Sequence, residues 1–173
     1  MEDISCHKMV ATNIDALHVY LSGLSAETKS RFGPHGYDKE SITAFYNSNT
    51  GLTGYIAVDS ISQKIIAYAL SKTGYLWHDL DRLKSYGLQK ELDNCCTFAP
   101  SVADAWQSRG IGKILFNFIL EDIKTHGVKY IILWGGVQAT NEKAINFYKK
   151  YGFKTLGSFE YNGNNLDMVM EVI

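Results

Sequence analysis

The sequence predicts an α/β protein of the α+β kind: one domain in which helices cover a mixed β-sheet. The chain has 173 residues, 46% of them hydrophobic, which suffices for one core but not for two ordinary domains. Runs of β-branched and aromatic residues alternate with amphipathic segments of helical period. The predicted order of elements is β-α-α-β-β-β-α-β-α-β-β, in a single domain over residues 1–173.

The first part of the chain predicts a strand followed by helical segments. The apolar run Met9-Val10-Ala11 predicts the strand, and Thr12 or Asn13 can cap the helix after it. Further helical signals open at Ser25 and at Asp38, and the second places Ile42, Phe45 and Tyr46 on one side of a helix.

An antiparallel hairpin is predicted next. Leu52–Val58 and Lys64–Leu70 are rich in β-branched and aromatic residues, and a short polar segment separates them. Residues 72–93 lack a clear pattern, and the sequence supports only a short helix there, from Asp79 to Tyr86.

The second half contains the clearest helix. Asn94–Val102 predicts a strand that is locally opened at Pro100, because proline cannot donate to a ladder. Apolar residues at 111, 114, 115, 118, 119 and 123 then predict an amphipathic helix that ends before Gly127.

The last elements are a strand, a helix and a hairpin. Lys129–Trp134 is a buried strand and Asn141–Tyr151 a helix. Phe153–Tyr161 and Asn165–Ile173 are joined by an Asn-Gly-Asn turn, which predicts a hairpin.

Charge and composition exclude several classes of protein. A net charge of −1 does not supply the phosphate neutralisation that nucleic-acid binding needs. No segment is apolar enough to cross a bilayer, and the acidic start of the chain does not resemble a signal peptide, so we expect a cytoplasmic protein without membrane association. Three cysteines and five histidines show no metal-ligand spacing, so no metal is expected.

A phosphate-binding turn is predicted before the long helix. In Gln107-Ser108-Arg109-Gly110-Ile111-Gly112 the glycines let the backbone approach an oxyanion, and Arg109 and Lys113 add positive charge at a helix N-terminus. The alternative is a plain strand-to-helix turn. A dinucleotide fingerprint would need glycine at Leu115, and a P-loop would need Ser or Thr at Ile114.

Two motifs in this half of the chain resemble those of the GNAT N-acetyltransferase family. Gln107-x-x-Gly110-x-Gly112 matches its Gln/Arg-x-x-Gly-x-Gly/Ala signature. Asn141-x-x-Ala144-x-x-Phe147-Tyr148-x-x-Tyr151-Gly152-Phe153 is similar to the segment that follows its fifth strand. The resemblance is strongest over residues 94–159, and Pro100 is unusual for the family's fourth strand.

The resemblance implies a mostly antiparallel sheet of six to seven strands, a V-shaped splay between strands 4 and 5, and about four helices. It also implies acetyl-CoA as cosubstrate, with the pyrophosphate on the 107–112 turn and the pantetheine arm between the splayed strands. The residues expected to bind it are Val102, Gln107, Ser108, Arg109, Gly110, Ile111, Gly112, Lys113, Asn141, Ala144, Phe147 and Tyr148.

Tyr148 is the expected catalytic residue, because in the family the matching tyrosine protonates the departing thiolate. Asn141 lies seven residues before it, so on a helix the two side chains differ by about 20° and share one face. The alternatives are an aromatic ring packed on the sheet for Tyr148 and a helix cap without ligand contact for Asn141.

The general base is not identified by the sequence. Thr97 occupies the position where many family members carry a glutamate, and a hydroxyl cannot replace that base, although it can hold a water. Glu91, Asp93, His78 and His35 are unranked candidates for a more distant base.

A covalent route is the alternative to direct attack by the amine. In it, Cys95 or Cys96 would accept the acetyl group.

The expected activity is therefore acetyl transfer to a primary amine of a small molecule, such as an amino sugar or an amino-acid-like compound, by a monomer or homodimer. Trp77, Tyr75, His78 and the His35 loop are the expected acceptor region. The alternatives are acetylation of a protein lysine or N-terminus, transfer to an alcohol, or an acyl-CoA-binding module without transfer chemistry.

Overall fold

The computed structural model describes residues 3–88 and 94–172, and it has the predicted α/β architecture. Within these residues there are eight strands and six α-helices. The strands are β1 Ile4–Lys8, β2 Leu52–Asp59, β3 Lys64–Thr73, β4 Cys95–Val102, β5 Tyr130–Leu133, β6 Val137–Gln138, β7 Lys154–Glu160 and β8 Asn164–Glu171. The helices are α1 Ile14–Ser22, α2 Ala26–Ser30, α3 Lys39–Ser48, α4 Leu80–Ser85, α5 Ile111–Thr125 and α6 Glu142–Lys150.

The chain forms two compact units. The first comprises Met1–Ser71 and Ala99–Asp122, and the second comprises Lys72–Phe98 and Ile123–Ile173. Strands β3 and β4 and helix α5 each run from one unit into the other. The hydrogen-bonded strand order is β1-β2-β3-β4-β5-β8, and both β6 and β7 pair with β8.

The first unit contains the predicted hairpin, strand β1, helices α1, α2 and α3, and most of α5. β1 pairs antiparallel with β2, from Ile4 opposite Asp59 to Lys8 opposite Tyr55. The expected strand at Met9-Val10-Ala11 is therefore wrong by a few residues. The limits of β1 could not be predicted from the sequence, because a half-exposed edge strand carries only a weak hydrophobic pattern.

Local capping explains where two of these helices begin. Ser25 caps α2 by accepting a hydrogen bond from the amide of Thr28, and Asp38 caps α3 by accepting from the amide of Ser41. Both helices begin where the sequence pattern placed them, and the short polar side chains satisfy free amides of a first helical turn.

The second unit holds the parallel pair of the sheet. Strand β4 runs parallel to β5, with Cys95 opposite Tyr130 and Phe98 opposite Leu133. Strand β8 is antiparallel to β5, β6 and β7. The two-residue strand β6 was not predicted, and it brings the sheet to eight strands rather than the expected six to seven.

Pairing between β4 and β5 stops where the splay was expected. The amide of Trp134 donates to the carbonyl of Phe98 at 2.8 Å, and β4 then continues to Val102 although β5 has ended. On the other side of β4, the amide of Ala103 donates to the carbonyl of Ile66 in β3. Backbone groups of a strand alternate between its two sides. The side on which Pro100 lacks a donor is therefore the one facing away from β3.

Helix α4 confirms the short helix predicted in the otherwise unassigned segment. The guanidinium of Arg82 donates to Asp167 in β8 at 2.7 and 3.1 Å and to Asp79 at 2.8 Å. It also lies over the ring of Phe159, 3.6 Å from the centroid. The side chains of Asp79 and Asp167 are only 5% and 1% exposed, so Arg82 neutralises two carboxylates that water hardly reaches.

Leu83, which follows Arg82, packs in a hydrophobic cluster with Leu88, Cys95 and Ile132. Side chains of β7 and β8 complete the surroundings of this cluster. Leu83 and Leu88 are therefore part of the core of the second unit.

No helix within residues 3–88 and 94–172 is long and apolar enough to cross a membrane.

Replacing Arg82 by methionine should strongly destabilise the protein, because two buried carboxylates lose their cation while the aliphatic contact is kept. We expect the free energy of unfolding to fall by about 3 kcal/mol in urea titrations. Arg31→Met is the matched control, because Arg31 pairs with the largely exposed Glu27, and we expect it to cost less than about 1 kcal/mol. Equal losses in the two variants would contradict this account of α4.

Candidate active site

The predicted phosphate-binding turn has a backbone shaped for an anion. Ser108 and Gly110 have positive φ values of 63° and 85°, and α5 begins directly after them at Ile111. Alternation of left-handed and right-handed residues turns successive amides toward one concave side, and the first turn of the helix adds amides without intrahelical partners. A residue that carries a side chain, such as Ser108, rarely adopts a positive φ. Such backbone conformations are typical of functional turns.

The side chain of Gln107 stabilises this turn by hydrogen bonds to other parts of the protein. Its amide nitrogen donates to the carbonyl of Val102 at 3.2 Å and to the hydroxyl of Thr28 at 3.3 Å. The signature glutamine therefore connects the turn to the end of β4 and to α2. Sequence reasoning had assigned Gln107 to the ligand and could not find Thr28, which lies far away in the chain.

Asp104 completes this network. Its carboxylate accepts hydrogen bonds from the Ser25 amide at 2.9 Å, from the Ser25 hydroxyl at 2.6 Å and from the Thr28 hydroxyl at 2.6 Å. These hydrogen bonds lower the pKa of Asp104 from 3.8 to about 2. The carboxylate is thus ionised over the whole physiological range, and it fixes the hydroxyl that Gln107 contacts.

Two positively charged side chains, Arg109 and Lys113, lie in or next to this turn. Arg109 is exposed and its guanidinium lies 5.2 Å from the centre of the Trp106 ring, while Lys113 is exposed in the first turn of α5. Ile111 is buried, so it anchors the start of the helix, and Gly112 is half-buried. The turn therefore combines backbone amides, two cations and no bulky side chain at Gly110, where an added Cβ would meet open space.

In the second unit, Asn141 caps helix α6, which is the alternative role that the sequence left open for it. Its side-chain oxygen accepts a hydrogen bond from the amide of Ala144 at 3.2 Å. Ala144 is half-buried in the first turn of the same helix. The amide nitrogen of Asn141 is thus the group that it would offer to a ligand.

Tyr148 lies near the other end of α6, on the buried face of the helix. It is 7% exposed and packs between Phe147 and Phe153, whose ring centroids are 5.6 and 5.2 Å away. Burial raises the pKa of Tyr148 far above 10, so the phenol keeps its proton at any physiological pH. It can therefore donate a hydrogen bond but cannot act as a base.

Thr97 has a structural role in β4. It is 2% exposed, and its hydroxyl donates to the carbonyl of Gly74 at 2.7 Å. Among the other candidates for the base, Glu91 and Asp93 lie outside the described residues. His78 is half exposed, beside the exposed ring of Trp77 and 3.7 Å from the carboxylate of Asp79.

The cysteines do not favour the covalent route. Cys95 is fully buried and its sulfur lies 3.5 Å from the hydroxyl of Tyr75. Burial raises the pKa of Cys96 to about 12, which leaves almost no nucleophilic thiolate at pH 7. In the described part of the chain, no three or more His, Cys, Asp or Glu side chains are grouped closely enough to hold a metal ion.

His35, in the first unit, sits among aromatic side chains. Its ring nitrogens lie 2.7 Å from the carbonyl of Gly36 and 3.0 Å from the hydroxyl of Tyr68, and the hydroxyl of Tyr46 lies 2.8 Å from that of Tyr68. His35 was among the candidate bases, but the two tyrosines were missed. Nothing in the local sequence pattern connects residues that are more than 20 positions apart.

Comparison with known proteins agrees with the resemblance read from the motifs. The family described as "Acetyltransferase (GNAT) family" matches residues 20–153. A curated relative, the [ribosomal protein bS18]-alanine N-acetyltransferase of Salmonella typhimurium, is 34% identical over 74 residues, which are 42% of this chain and 49% of that protein. The matched region thus spans about half the length of this relative.

Solved structures of low sequence identity share the fold. A spermidine N-acetyltransferase from Vibrio cholerae, crystallised with CoA and spermine, superposes with a TM-score of 0.71 at 16% identity, over 98% of this chain and 95% of that one. An aminoglycoside acetyltransferase crystallised with coenzyme A gives a TM-score of 0.69 at 20% identity, over 98% of this chain and 95% of that one.

Asp104→Asn should reduce stability in a way that depends on pH. The folded state favours the carboxylate, so the stabilisation is fully present above about pH 4 and is lost as the pH falls toward 2. We expect the variant to lose about 1 kcal/mol of unfolding free energy at pH 7, since the exposed carboxylate is partly screened by water. Urea titrations of the two proteins should converge near pH 2. A difference that is constant from pH 7 to pH 2 would contradict the assigned cause.

Proposed function

The chain belongs to the acetyltransferase (GNAT) family, and from this premise we propose that it transfers an acetyl group from acetyl-CoA to a primary amine of a small molecule. The observation that carries the proposal is the turn before α5. Its left-handed residues Ser108 and Gly110, its exposed cations and the helix N-terminus suit a pyrophosphate. The amine would attack the thioester directly in a ternary complex.

The first unit supplies the residues proposed to bind the pyrophosphate and the pantetheine arm of the cosubstrate. Amides of the turn would donate to the pyrophosphate, and Arg109 and Lys113 would balance its charge. The amide of Val102 would serve the pantetheine arm, because its carbonyl already accepts from Gln107. The proposed set in this unit is Val102, Gln107, Ser108, Arg109, Gly110, Ile111, Gly112 and Lys113.

The second unit supplies the residues proposed to act near the thioester. Asn141 would orient the cosubstrate through its amide nitrogen, and Ala144 and Phe147 would contact it. Tyr148 would donate its hydrogen bond to the sulfur as negative charge develops there, and it would supply the proton of the free thiol. The raised pKa of the phenol supports this assignment, since the donor form is always present.

For the acceptor, we favour a small amine such as an amino sugar or an amino-acid-like compound. The relatives named above act on spermidine, an aminoglycoside and a protein alanine, so a range of amines is compatible with this fold. A net charge of −1 gives little steering toward a strongly cationic tail. Trp77, Tyr75 and His78 offer aromatic and polar contacts that suit a ring-shaped acceptor.

Three other activities are kept as alternatives. Acetylation of a protein lysine or N-terminus is supported by the curated relative. A module that binds acyl-CoA without transfer is suggested by Thr97 at the position of the family's glutamate. Transfer to an alcohol is the third. A cytoplasmic location and a monomeric or homodimeric state remain predictions.

Ligand-dependent stability tests the cosubstrate, and an acceptor panel tests the activity. Acetyl-CoA at about 100 times its Kd should add about 2.7 kcal/mol of stability, whereas NAD and ATP at equal concentration should add little. The panel should contain spermidine, an aminoglycoside, a peptide with N-terminal alanine and simple alcohols. Release of free thiol with a small amine supports the proposal. Binding without release supports the module, and release only with the peptide or an alcohol supports the corresponding alternative.

Gly110→Ala should weaken acetyl-CoA binding without unfolding the protein. An alanine at φ 85° is strained by about 1 kcal/mol, and relief of this strain would turn the amides away from the ligand. We expect the Kd measured by calorimetry to rise tenfold or more. Gly87→Ala is the matched control, because Gly87 has a φ of 78° and equally open surroundings in the second unit. An equal rise in Kd in both variants would remove the turn from the site.

Tyr148→Phe should lower kcat by about one to three orders of magnitude and leave the Kd of acetyl-CoA nearly unchanged, because the lost hydroxyl acts in the transition state. Tyr151→Phe, three residues later at the C-terminal cap of the same helix, is the control and should keep kcat within about twofold. Steady-state kinetics with the best amine of the panel measures both. Normal turnover of the Tyr148 variant would exclude the phenol from the mechanism.

A further inference from the structure

We propose that His35 is the proton acceptor for the attacking amine and that Tyr46 and Tyr68 deliver the proton to it. This inference rests on the proposed function, for which the sequence supplied no base. The three residues, called here the His35 relay, all belong to the first unit. Tyr46 would contact the amine, and Tyr68 and His35 would act on the amine only through Tyr46.

The hydrogen bonds of His35 define its tautomer. The carbonyl of Gly36 can only accept, so the ring nitrogen Nδ1, 2.7 Å away, carries the hydrogen. In the neutral ring Nε2 is then an acceptor, and the Tyr68 hydroxyl at 3.0 Å donates to it. Since that hydroxyl hydrogen is used, Tyr46 donates to the oxygen of Tyr68 at 2.8 Å. All donors therefore point toward Nε2, which is the direction a proton must take.

The open end of the relay is Tyr46. Both nitrogens of His35 are engaged and Tyr68 is fully buried, whereas Tyr46 is only partly buried. The Tyr46 hydroxyl lies over Gly54 of β2, where an added Cβ would be 2.1 Å from its oxygen. A glycine at this position is therefore required for the hydroxyl to reach Tyr68.

The surroundings keep each member in the form that the relay needs. Burial lowers the pKa of His35 from 6.5, so the ring is neutral at pH 7. The titratable groups facing the ring are Tyr68 and, behind it, Tyr46, and its other ring contacts, Phe32 and Phe45, are apolar. Burial raises the pKa of Tyr46 to about 12 and that of Tyr68 well above 10, so both hydroxyls transmit a proton but do not lose one.

The relay lies beside the part of β4 that has no β5 partner. The hydroxyl of Ser101 donates to the backbone carbonyl of Tyr68 at 3.2 Å and accepts from the hydroxyl of Tyr20 at 2.9 Å. Ser101 belongs to the stretch of β4 next to Val102, the residue proposed to serve the pantetheine arm. Tyr68 is thus fixed, through its backbone, to the strand proposed to run along the cosubstrate.

The proton transfer balances as follows. The lone pair of the neutral amine forms a bond to the thioester carbonyl carbon, and the nitrogen becomes positively charged and acidic. One of its protons moves to the oxygen of Tyr46, the hydrogen of Tyr46 moves to Tyr68, and that of Tyr68 moves to Nε2 of His35. The C–S electron pair leaves with sulfur. The imidazolium, still donating to Gly36, later releases its proton to water.

The first test compares two half-buried histidines that both contact a backbone carbonyl. His35→Asn can keep a donor to the Gly36 carbonyl but has no base. We expect kcat to fall about 10-fold to 1000-fold, the acidic limb of its pH profile to disappear, and the Kd of acetyl-CoA to stay unchanged. His18→Asn is the control, because His18 lies 2.8 Å from the Tyr37 carbonyl and is outside the relay, and it should keep the wild-type profile.

Tyr46→Phe should reproduce the loss of kcat seen in His35→Asn, and the double variant should lose little more than either single one. Retention of kcat within twofold, or an unchanged acidic limb, in His35→Asn overturns the relay. A second readout needs no acceptor: nitrogen–proton correlation spectra should show neutral His35 with its hydrogen on Nδ1, and a hydrogen on Nε2 would overturn the proposal. A wild-type protein that binds acetyl-CoA but acetylates no amine would instead overturn the proposed function itself.

Discussion

The early end of the parallel pairing between β4 and β5 is the constraint on which the proposed site depends. The last hydrogen bond joins Trp134 to Phe98, and β4 then continues to Val102 with one side facing away from β3. The chain next makes a short 3₁₀ turn over Asp104–Trp106 and enters the left-handed turn before α5. Backbone groups that face away from β3 and amides at a helix N-terminus thus follow one another along a short stretch of sequence, an arrangement that suits a long ligand with a polar head.

Much of the fold could be predicted because it depends on local signals. The hairpin β2–β3, the long amphipathic helix α5 and the starts of α2 and α3 follow from local periodicity. Proline at position 100 correctly indicated where the ladder opens. Strand β6 was missed because two residues carry no measurable period. The family resemblance implied about four helices, whereas the sequence pattern itself had indicated the two short ones, α2 and α4.

The side-chain partners of the candidate site could not be predicted from the sequence. Gln107 meets Thr28 across 79 positions, and Arg82 meets Asp167 across 85. Motif spacing could propose Gly110, Asn141 and Tyr148 as site residues, because their positions depend on the backbone of a single turn or helix. Motif spacing could not show that the side chain of Gln107 donates hydrogen bonds to Thr28 and Val102, because the contact with Thr28 depends on how distant segments fold together. A general base could not be proposed from the sequence for the same reason, because the contacts of His35 with Tyr68 and of Tyr68 with Tyr46 join distant positions.

Pro100 also bears on how the open side of β4 is protected. A strand edge with regular free amides and carbonyls is a template on which another polypeptide can add as a further strand. Proline interrupts that regular array on the side where β5 is missing, and natural sheets use proline for this purpose at their edges. A slender ligand needs only one or two backbone groups, whereas an added strand needs the full repeat. The same residue that departs from the family pattern therefore makes this edge of β4 a poor template for an added strand.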